Sequence, residues 1–242
     1  MTEEVLFIAD LHLTPAHPVR VRLFIQFLQQ RARQAQALYI LGDLFDVWIG
    51  DDDNSHFSKV LCEQLRQAVA SGLVIYLQPG NRDFLLGNHF ARQTGVRLLP
   101  DYHRIELLGE PVLLTHGDLL CTDDMAYQRF RHLSRTPEWR ENVLAKPLWL
   151  RRGAARWYRL RSFWHKRGQT AMIMDVNADA VAQVIGQYKV KRLIHGHTHR
   201  PATHTLTLGG FAAERIVLSD WRGVTGCCLS VSAENGYRHE HF

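Results

Sequence analysis

Phe7-Ile8-Ala9-Asp10-Leu11-His12 is a short apolar run that stops at a carboxylate and an imidazole two residues apart. A buried strand with this ending presents potential metal ligands beyond its carboxyl end. Four later stretches also combine an apolar lead-in, a glycine and an oxygen or nitrogen ligand, at residues 41–43, 79–83, 114–118 and 194–199. Five such strand ends that converge in space predict a centre for two divalent metals.

Hydrophobic periodicity predicts that strands alternate with helices in the first hundred residues. Apolar residues at helical spacing indicate helices, and short apolar runs indicate strands. The helices are predicted at 21–28, 60–68 and 84–90, and the strands after the first at 38–41 and 73–77. This alternation implies right-handed crossovers and a mainly parallel sheet, whose ligands bind beyond the carboxyl ends of the strands.

A second sheet is predicted to begin near residue 96, where the pattern changes to short strands. These are expected at 96–99, 103–108 and 112–114, with the last two joined as a hairpin at Gly109-Glu110. A helix at 177–188, a strand at 192–194 and antiparallel strands from residue 202 complete the chain. The predicted fold class is α/β (α+β), with two packed sheets, helices outside and the ligands at one edge.

Composition favours one domain, or a domain with an insertion, in a reducing compartment. The 242 residues are 46% hydrophobic, and the four cysteines match neither a disulfide framework nor a zinc site. The acidic N-terminus does not resemble a signal peptide, and no apolar run is long enough to cross a bilayer. We therefore expect a cytoplasmic protein, either soluble or peripheral to a membrane.

A strongly basic segment interrupts an otherwise mildly acidic chain. Residues 129–168 carry twelve Arg or Lys against two Glu, a net charge of +10. Four of the six tryptophans lie in this segment, and a cationic amphipathic helix is expected between Pro147 and Lys166. Aromatic rings beside cations suit the headgroup boundary of an anionic leaflet, and packing of the rings on the rest of the protein is the equal alternative.

The motif residues are sufficient for two metal sites that share one ligand. Asp43, at a sharp strand end, is the natural shared carboxylate. Asp10, His12 and one C-terminal histidine would complete the first site; Asn81, His116 and the other C-terminal histidine would complete the second. Oxygen and imidazole ligands without thiolate favour manganese, iron or zinc over copper, and an oxygen-rich shell favours manganese.

Such a site would bind an anion and hydrolyse a phosphorus bond. Two divalent ions outweigh the two carboxylates, so a net positive charge remains. Two metals roughly 4 Å apart activate a bridging water and clamp both oxygens of an in-line phosphoryl displacement. Phosphate-ester or phosphate-anhydride hydrolysis is the predicted chemistry.

In this order, Asp10-x-His12, Gly42-Asp43, Gly80-Asn81-Arg82-Asp83, His116-Gly117-Asp118 and Gly196-His197-x-His199 resemble the calcineurin-like metallophosphoesterase superfamily. The resemblance implies a double-sheet sandwich flanked by helices. It also implies two metal sites that share Asp43. Their ligands would be Asp10, His12, Asp43 and His199 on one metal, and Asp43, Asn81, His116 and His197 on the other.

Arg82 stands where the wider superfamily carries a histidine. A histidine there can protonate a leaving oxygen, whereas an arginine does not titrate in the relevant range. The substrate should therefore have a leaving group that needs no proton, such as a phosphate, with Arg82 holding the charged oxygens bidentately. This substitution points to a pyrophosphate bond. We expect catalysis to depend on Arg82, Asp43 and His116.

With the Arg82 variant, the stretches at 40–45, 48–53, 121–124 and 173–177 closely resemble the UDP-2,3-diacylglucosamine hydrolase family of lipid A biosynthesis. That resemblance implies two Mn²⁺ ions and water attack on the α-phosphate, which yields UMP and 2,3-diacylglucosamine 1-phosphate. It implies substrate contacts at Asn81, Arg82, Asp124, Ser162 and His197. Lys166 replaces an asparagine of the best-known member and would still meet a phosphate.

The same resemblance implies an organisation, a location and a set of partners. Residues 1–120 and 170–242 would form the metallophosphoesterase domain, and 121–169 a helical basic insertion that caps the active site. The partners would be an acylated UDP-sugar lipid and the cytoplasmic face of the bacterial inner membrane, where the protein would be peripheral, with no nucleic acid.

Other interpretations remain open at this stage. A dinuclear phosphoesterase of other, water-soluble nucleotides is the main alternative, and a binding module on a decayed fold, including a nucleic-acid binder, is the third. Asp51-Asp52-Asp53 is more typical of a solvated loop than of a third metal site. His195 is expected to be structural, although it lies beside ligands. Asp83 and Asp118 are expected to orient histidine ligands.

Overall fold

The chain folds around two β-sheets that pack face to face. The computed structural model describes residues 4–166 and 175–242, apart from the side chains of 158–166, 208 and 211. The first sheet has the strand order β11-β10-β1-β2-β3-β4 and the second β5-β6-β7-β9-β8. In the first sheet, β1, β2 and β3 run parallel; in the second, β6 and β7 do.

The strands are β1 (Val5–Ile8), β2 (Ala37–Leu41), β3 (Val74–Gln78), β4 (Arg97–Leu98), β5 (His103–Leu107), β6 (Glu110–Leu114), β7 (Arg192–His195), β8 (Ala202–Leu208), β9 (Phe211–Val217), β10 (Cys227–Ser232) and β11 (Gly236–His241). The helices are α1 (Pro18–Gln30), α2 (His56–Ala70), α3 (Asn88–Thr94), α4 (Met125–Ser134), α5 (Pro137–Leu144), α6 (Leu148–Lys166) and α7 (Ala178–Tyr188). The predicted double-sheet sandwich flanked by helices is confirmed.

Three apolar clusters hold the layers together. One lies between the two sheets and joins residues such as Phe7 and Leu41 of the first sheet to Leu114 and Ile194 of the second. Another packs α1, α2 and α3 on the outer face of the first sheet, and the third packs α7 on the second. Because both faces of the inner strands are buried, their sequences are nearly continuous apolar runs.

Three local predictions need correction. The strand expected at 96–99 pairs with β3 in the first sheet, so the second sheet begins only at β5. Phe84 and Leu85 precede the third helix, which begins at Asn88. The hairpin turn lies at Leu108-Gly109, both with positive φ, one residue earlier than predicted. Such two-residue turns match the twist of the strands they join.

Three helices occupy the range that we expected to form an insertion. Helices α4, α5 and α6 follow one another between β6 and α7. Trp139 of α5 packs on the core cluster beneath the first sheet, with its ring 5.9 Å from that of Phe84 and 6.1 Å from that of Phe130. On α6, Trp149 and Trp157 are 72% and 60% exposed. One predicted aromatic therefore packs on the body while two face outward.

Candidate metal centre

All seven predicted ligands lie just beyond the carboxyl ends of five strands. The residues, in the order β1, β2, β3, β6, β7, are Asp10 and His12, Asp43, Asn81, His116, and His197 and His199. These strands include the parallel runs of both sheets, so their carboxyl ends share one edge of the sandwich. The structure brings the seven side chains together there.

The backbone turns sharply at most of these positions. Among the described residues, seven non-glycine residues have positive φ, and five are predicted ligands: Asp10, His12, Asp43, His197 and His199. A non-glycine residue in this region costs about 1–3 kcal/mol and persists only where its surroundings hold it. Backbone strain is thus concentrated where the chain presents its carboxylates and imidazoles.

One group of ligand atoms contains Asp10, His12 and His199. His12 Nε2 lies 3.4 Å from His199 Nε2 and 3.9 Å from Asp10 Oδ1, and His199 Nε2 lies 3.5 Å from Asp10 Oδ1. Asp10 Oδ1 is buried and has no hydrogen-bond partner among the described residues. A buried carboxylate oxygen facing two imidazole nitrogens is the arrangement expected of a cation site.

A second group contains Asn81, His116 and His197. Asn81 Oδ1 lies 2.9 Å from His116 Nε2 and 3.0 Å from His197 Nδ1, and the two nitrogens are 3.2 Å apart. Asp43 stands between the groups, with Oδ1 3.8 Å from His116 Nε2 and Oδ2 3.8 Å from His12 Nδ1. A carboxylate within reach of both groups is what a shared ligand requires.

The charges at this edge are interdependent. Burial and the neighbouring charge of Asp10 raise the pKa of Asp43, while burial lowers the pKa of His12 to about 4. Burial also opposes ionisation of Asp10, but His199, His116 and His12 hold its pKa below the usual value. Divalent cations would relieve the repulsion between the two buried carboxylates. The donor set of oxygen and imidazole nitrogen, without thiolate, fits such ions.

Hydrogen bonds set the orientation of two ligand rings. His116 Nδ1 donates to the carbonyl oxygen of Leu41 at 2.9 Å, which leaves Nε2 free to face the other ligands. His199 Nδ1 is 2.9 Å from Asp220 Oδ2, a residue that we did not predict. Leu218-Ser219-Asp220 follows β9 as an apolar residue leading to a carboxylate, a weaker form of the motif after β1.

Asp83 and Asp118 do not have the contacts expected of histidine-orienting groups. Asp83 accepts from the backbone N–H of Gly80 at 2.7 Å and of Phe45 at 3.2 Å. Asp118 accepts from Arg131 Nε at 2.7 Å and from the Tyr127 hydroxyl. Both carboxylates hold loops together around the site.

The predicted substrate contacts have different surroundings. The backbone N–H of Arg82 donates to Asp43 Oδ1 at 2.8 Å, and the charge of its guanidinium acts on both Asp43 and His12. Asp124 caps α4 by accepting from the N–H of Tyr127 at 3.0 Å. Ser162 and Lys166 lie on α6, and their side chains are outside the described residues.

Asp51-Asp52-Asp53 is a loop, as expected, and Asp52 is exposed, but its carboxylates also anchor neighbouring elements. Asp51 accepts from Trp48 Nε1 and from the N–H of Phe90. Asp52 pairs with Arg151 of α6, and Asp53 accepts from Ser58 at 2.6 Å. The carboxylates therefore fix the start of α3 and the base of α6. No third metal group appears among the described residues.

His195 is structural in the sense expected. Its ring is fully buried, and Nδ1 donates to the carbonyl oxygen of Gly196 at 2.8 Å. Burial lowers the pKa of this histidine to about 4, so the ring is neutral at pH 7. The ring also packs against Gly117, where an added Cβ would meet His195 Nδ1 at 2.8 Å.

Much of the positive charge of residues 129–168 is directed inward. Five arginines of this segment donate to groups of the two-sheet body: Arg131, Arg135, Arg140, Arg151 and Arg152. The arginines of the basic segment thus also attach α4, α5 and α6 to the two-sheet body. Within residues 4–166 and 175–242, no helix combines the length and apolarity needed to cross a bilayer.

Comparisons with known proteins agree with this geometry. The family model for calcineurin-like phosphoesterases matches residues 4–201. Among solved structures, an archaeal phosphodiesterase aligns over 99% of both chains with a TM-score of 0.51 and 12% identity, which supports the fold.

Curated relatives match nearly end to end. A UDP-2,3-diacylglucosamine hydrolase of Cellvibrio japonicus is 48% identical over 94% of this chain and 95% of its own length. The protein of that name from Pseudomonas aeruginosa is 48% identical over 98% of both chains, and that from Ectopseudomonas mendocina 49% over 95% of both. The chain belongs to the calcineurin-like phosphoesterases and, within them, to the UDP-2,3-diacylglucosamine hydrolase family.

Proposed function

We propose that this protein hydrolyses the pyrophosphate bond of UDP-2,3-diacylglucosamine in lipid A biosynthesis. Water would attack the α-phosphate and release UMP and 2,3-diacylglucosamine 1-phosphate. The observation that carries the proposal is the near-complete, roughly half-identical match to relatives of that name. The close approach of all seven predicted ligand side chains supports it, because a decayed fold would not need to keep them together.

The two ligand groups would hold two Mn²⁺ ions. Asp10, His12 and His199 would bind one ion, and Asn81, His116 and His197 the other, with Asp43 shared. When bound, such a metal pair activates water and stabilises the charge that develops on the phosphoryl oxygens. Carboxylate, amide and imidazole ligands without sulfur fit manganese, iron or zinc, and manganese is the ion that the resemblance to the hydrolase family implies.

Arg82 would contribute the selectivity for a diphosphate. Its backbone N–H is fixed on Asp43, and its guanidinium would hold two phosphate oxygens. An arginine holds its charge throughout the working pH range and does not supply a proton. A sugar 1-phosphate leaves without one. Asp43 and His116 would complete the catalytic set by holding the reacting phosphate through the metals.

Residues 121–169 would form a cap that receives the lipid part of the substrate. Asp124, Ser162 and Lys166 are the proposed polar contacts of this segment, beside Asn81, Arg82 and His197. The exposed rings of Trp149 and Trp157 beside Arg152 and Arg156 suit the headgroup region of an anionic membrane. The protein would thus work as a peripheral enzyme on the cytoplasmic face of the inner membrane.

Release of UMP from purified protein tests the proposal. UDP-2,3-diacylglucosamine is supplied in mixed micelles, with and without Mn²⁺, and the products are separated by chromatography. We expect Mn²⁺-dependent formation of UMP and the acylated sugar phosphate in equal amounts. Faster hydrolysis of a water-soluble nucleotide ester, or no UMP, would contradict the assignment. The Arg82→His variant should gain activity on the ester relative to the diphosphate.

A further inference from the structure

Arg135 links the helical segment to the loop that carries two proposed site residues. It stands at the C-terminal end of α4 and is half-buried. Its Nη2 donates to the carbonyl oxygen of Gly80 at 2.8 Å, and its guanidinium carbon lies 4.3 Å from the centre of the Phe84 ring. Asn81 and Arg82 lie between Gly80 and Phe84 in the sequence, so Arg135 contacts the loop on both sides of them.

Three other backbone groups of this loop are also held by hydrogen bonds. The N–H of Gly80 donates to Asp83 Oδ1 at 2.7 Å, that of Arg82 donates to Asp43 Oδ1 at 2.8 Å, and Trp48 donates to the carbonyl of Arg82 at 3.2 Å. Arg135 supplies the partner for the Gly80 carbonyl. A buried carbonyl without a donor costs free energy, so the loop would shift if the guanidinium were removed.

A shift at Gly80 would be transmitted directly to the metal ligands. A Cβ at Gly80 would lie 2.2 Å from Asp43 Oδ1 and 2.4 Å from the Asp43 backbone nitrogen, so the two backbones are already in close contact. The next residue, Asn81, places its Oδ1 within 3.0 Å of two histidine nitrogens. A small displacement of the Gly80 backbone would therefore move both Asp43 and the Asn81 side chain of the second ligand group.

We propose that Arg135 is a positioning residue for the hydrolysis: it holds the Gly80 peptide so that Asn81 faces the second metal and Arg82 faces the diphosphate. This inference rests on the proposed function for the reaction, but its effect on metal binding does not depend on the substrate. The helical segment would then set the geometry of the metal centre in addition to receiving lipid.

Three variants of the full-length protein test this role. Arg135→Met keeps an apolar stem over Phe84 and removes all donors, whereas Arg135→Lys keeps one cationic donor. Arg129→Met is the matched control, because Arg129 is an exposed arginine on the same helix. Mn²⁺ affinity and stoichiometry are measured by titration of metal-free protein, and thermal unfolding is measured without metal.

We expect Arg135→Met to lower the Mn²⁺ affinity of one of the two sites roughly 10- to 100-fold, the usual effect of losing a residue that orients a metal ligand. The kcat for UMP release should fall by a similar factor with a smaller change in KM. Arg135→Lys should recover part of both losses, and Arg129→Met should match the wild type.

Wild-type Mn²⁺ binding and kcat in Arg135→Met would overturn the proposal. So would equal losses in the Met and Lys variants together with lowered metal-free stability, which would mark a general packing role. If the wild type binds two Mn²⁺ ions but releases no UMP, the proposed function fails. A weakened site in Arg135→Met would then still support the positioning role.

Discussion

Asp43 lies between the two ligand groups and is the proposed shared ligand. Its two carboxylate oxygens each lie 3.8 Å from a histidine nitrogen of a different group, and it also accepts from the backbone of Arg82. Its removal should therefore disturb both metals and the arginine loop at once, whereas loss of a terminal ligand would disturb one site.

For Asp43→Ala we expect a large fall in the rate of UMP release. It should exceed the roughly 10- to 100-fold loss that is typical when a residue that orients a metal ligand is removed. The measurement is the initial rate at saturating Mn²⁺, with thermal unfolding of the metal-free protein to show that the variant folds. Asp43→Asn, which keeps the size of the side chain, should also lose the rate. Turnover at the wild-type level would remove Asp43 from the site.

Asp220 is predicted to act through His199. Its carboxylate is 2.9 Å from His199 Nδ1 and also accepts from Arg222 Nε at 2.6 Å. The acceptor keeps the proton on Nδ1 and leaves Nε2 for a metal. Asp220→Asn should weaken Mn²⁺ binding roughly 10- to 100-fold, measured by titration. Arg222→Met should have a smaller effect, and unchanged affinity in Asp220→Asn would contradict the role.

At the scale of elements, Arg31 joins the two ends of the chain at the close of α1. It makes two hydrogen bonds to Glu4, at 2.8 and 2.7 Å, and two to Glu240 of β11, at 2.8 and 3.1 Å. The bond to Arg31 lowers the pKa of Glu4, although burial opposes that shift. A carboxyl whose folded pKa is depressed stabilises the fold above its unfolded pKa and loses that contribution as the pH falls.

Arg31→Met should therefore lower the free energy of unfolding by about 2 kcal/mol at pH 7. The difference from the wild type should shrink as the pH falls below the unfolded pKa of glutamate, about 4.3. Urea unfolding at pH 7 and at pH 4 measures it. A difference that is independent of pH would mean that the arginine contributes by packing alone.

The exposed tryptophans of α6 are predicted to carry the membrane contact. Trp149→Ser with Trp157→Ser should reduce co-flotation with vesicles that contain anionic lipid, because both rings are mostly exposed beside arginines. Val224→Ser, which changes an equally exposed apolar residue outside the segment, should float like the wild type. If the wild type, the double tryptophan variant and Val224→Ser float equally, the two rings do not contribute to membrane binding.

The metal ligands could be predicted from local sequence. All seven lie within four residues of the ends of five strands, so the pattern could be found without knowledge of tertiary partners. The two-residue strand β4 could not be assigned to a sheet, because its register with β3 is set by tertiary pairing. The ion pair between Asp52 and Arg151 was not predicted, because the two residues lie 99 positions apart. Asp220 has neither a neighbouring glycine nor a second ligand, and each of the other motifs has at least one of these.

At the scale of the whole molecule, the sandwich itself creates the site. Parallel strands of each sheet end at the same edge, and the apolar cluster between the sheets keeps the two sets of strand ends in register. Three ligands come from β6 and β7 of the second sheet and four from the first. Neither sheet alone supplies either complete ligand group, so metal binding should require the packed pair.

Anomalous diffraction from crystals grown with Mn²⁺, recorded at the manganese edge, would locate both ions directly. We expect two neighbouring peaks, one beside Asp10, His12 and His199 and one beside Asn81, His116 and His197, with Asp43 in contact with both ions. A single peak, or peaks away from these seven side chains, would contradict it.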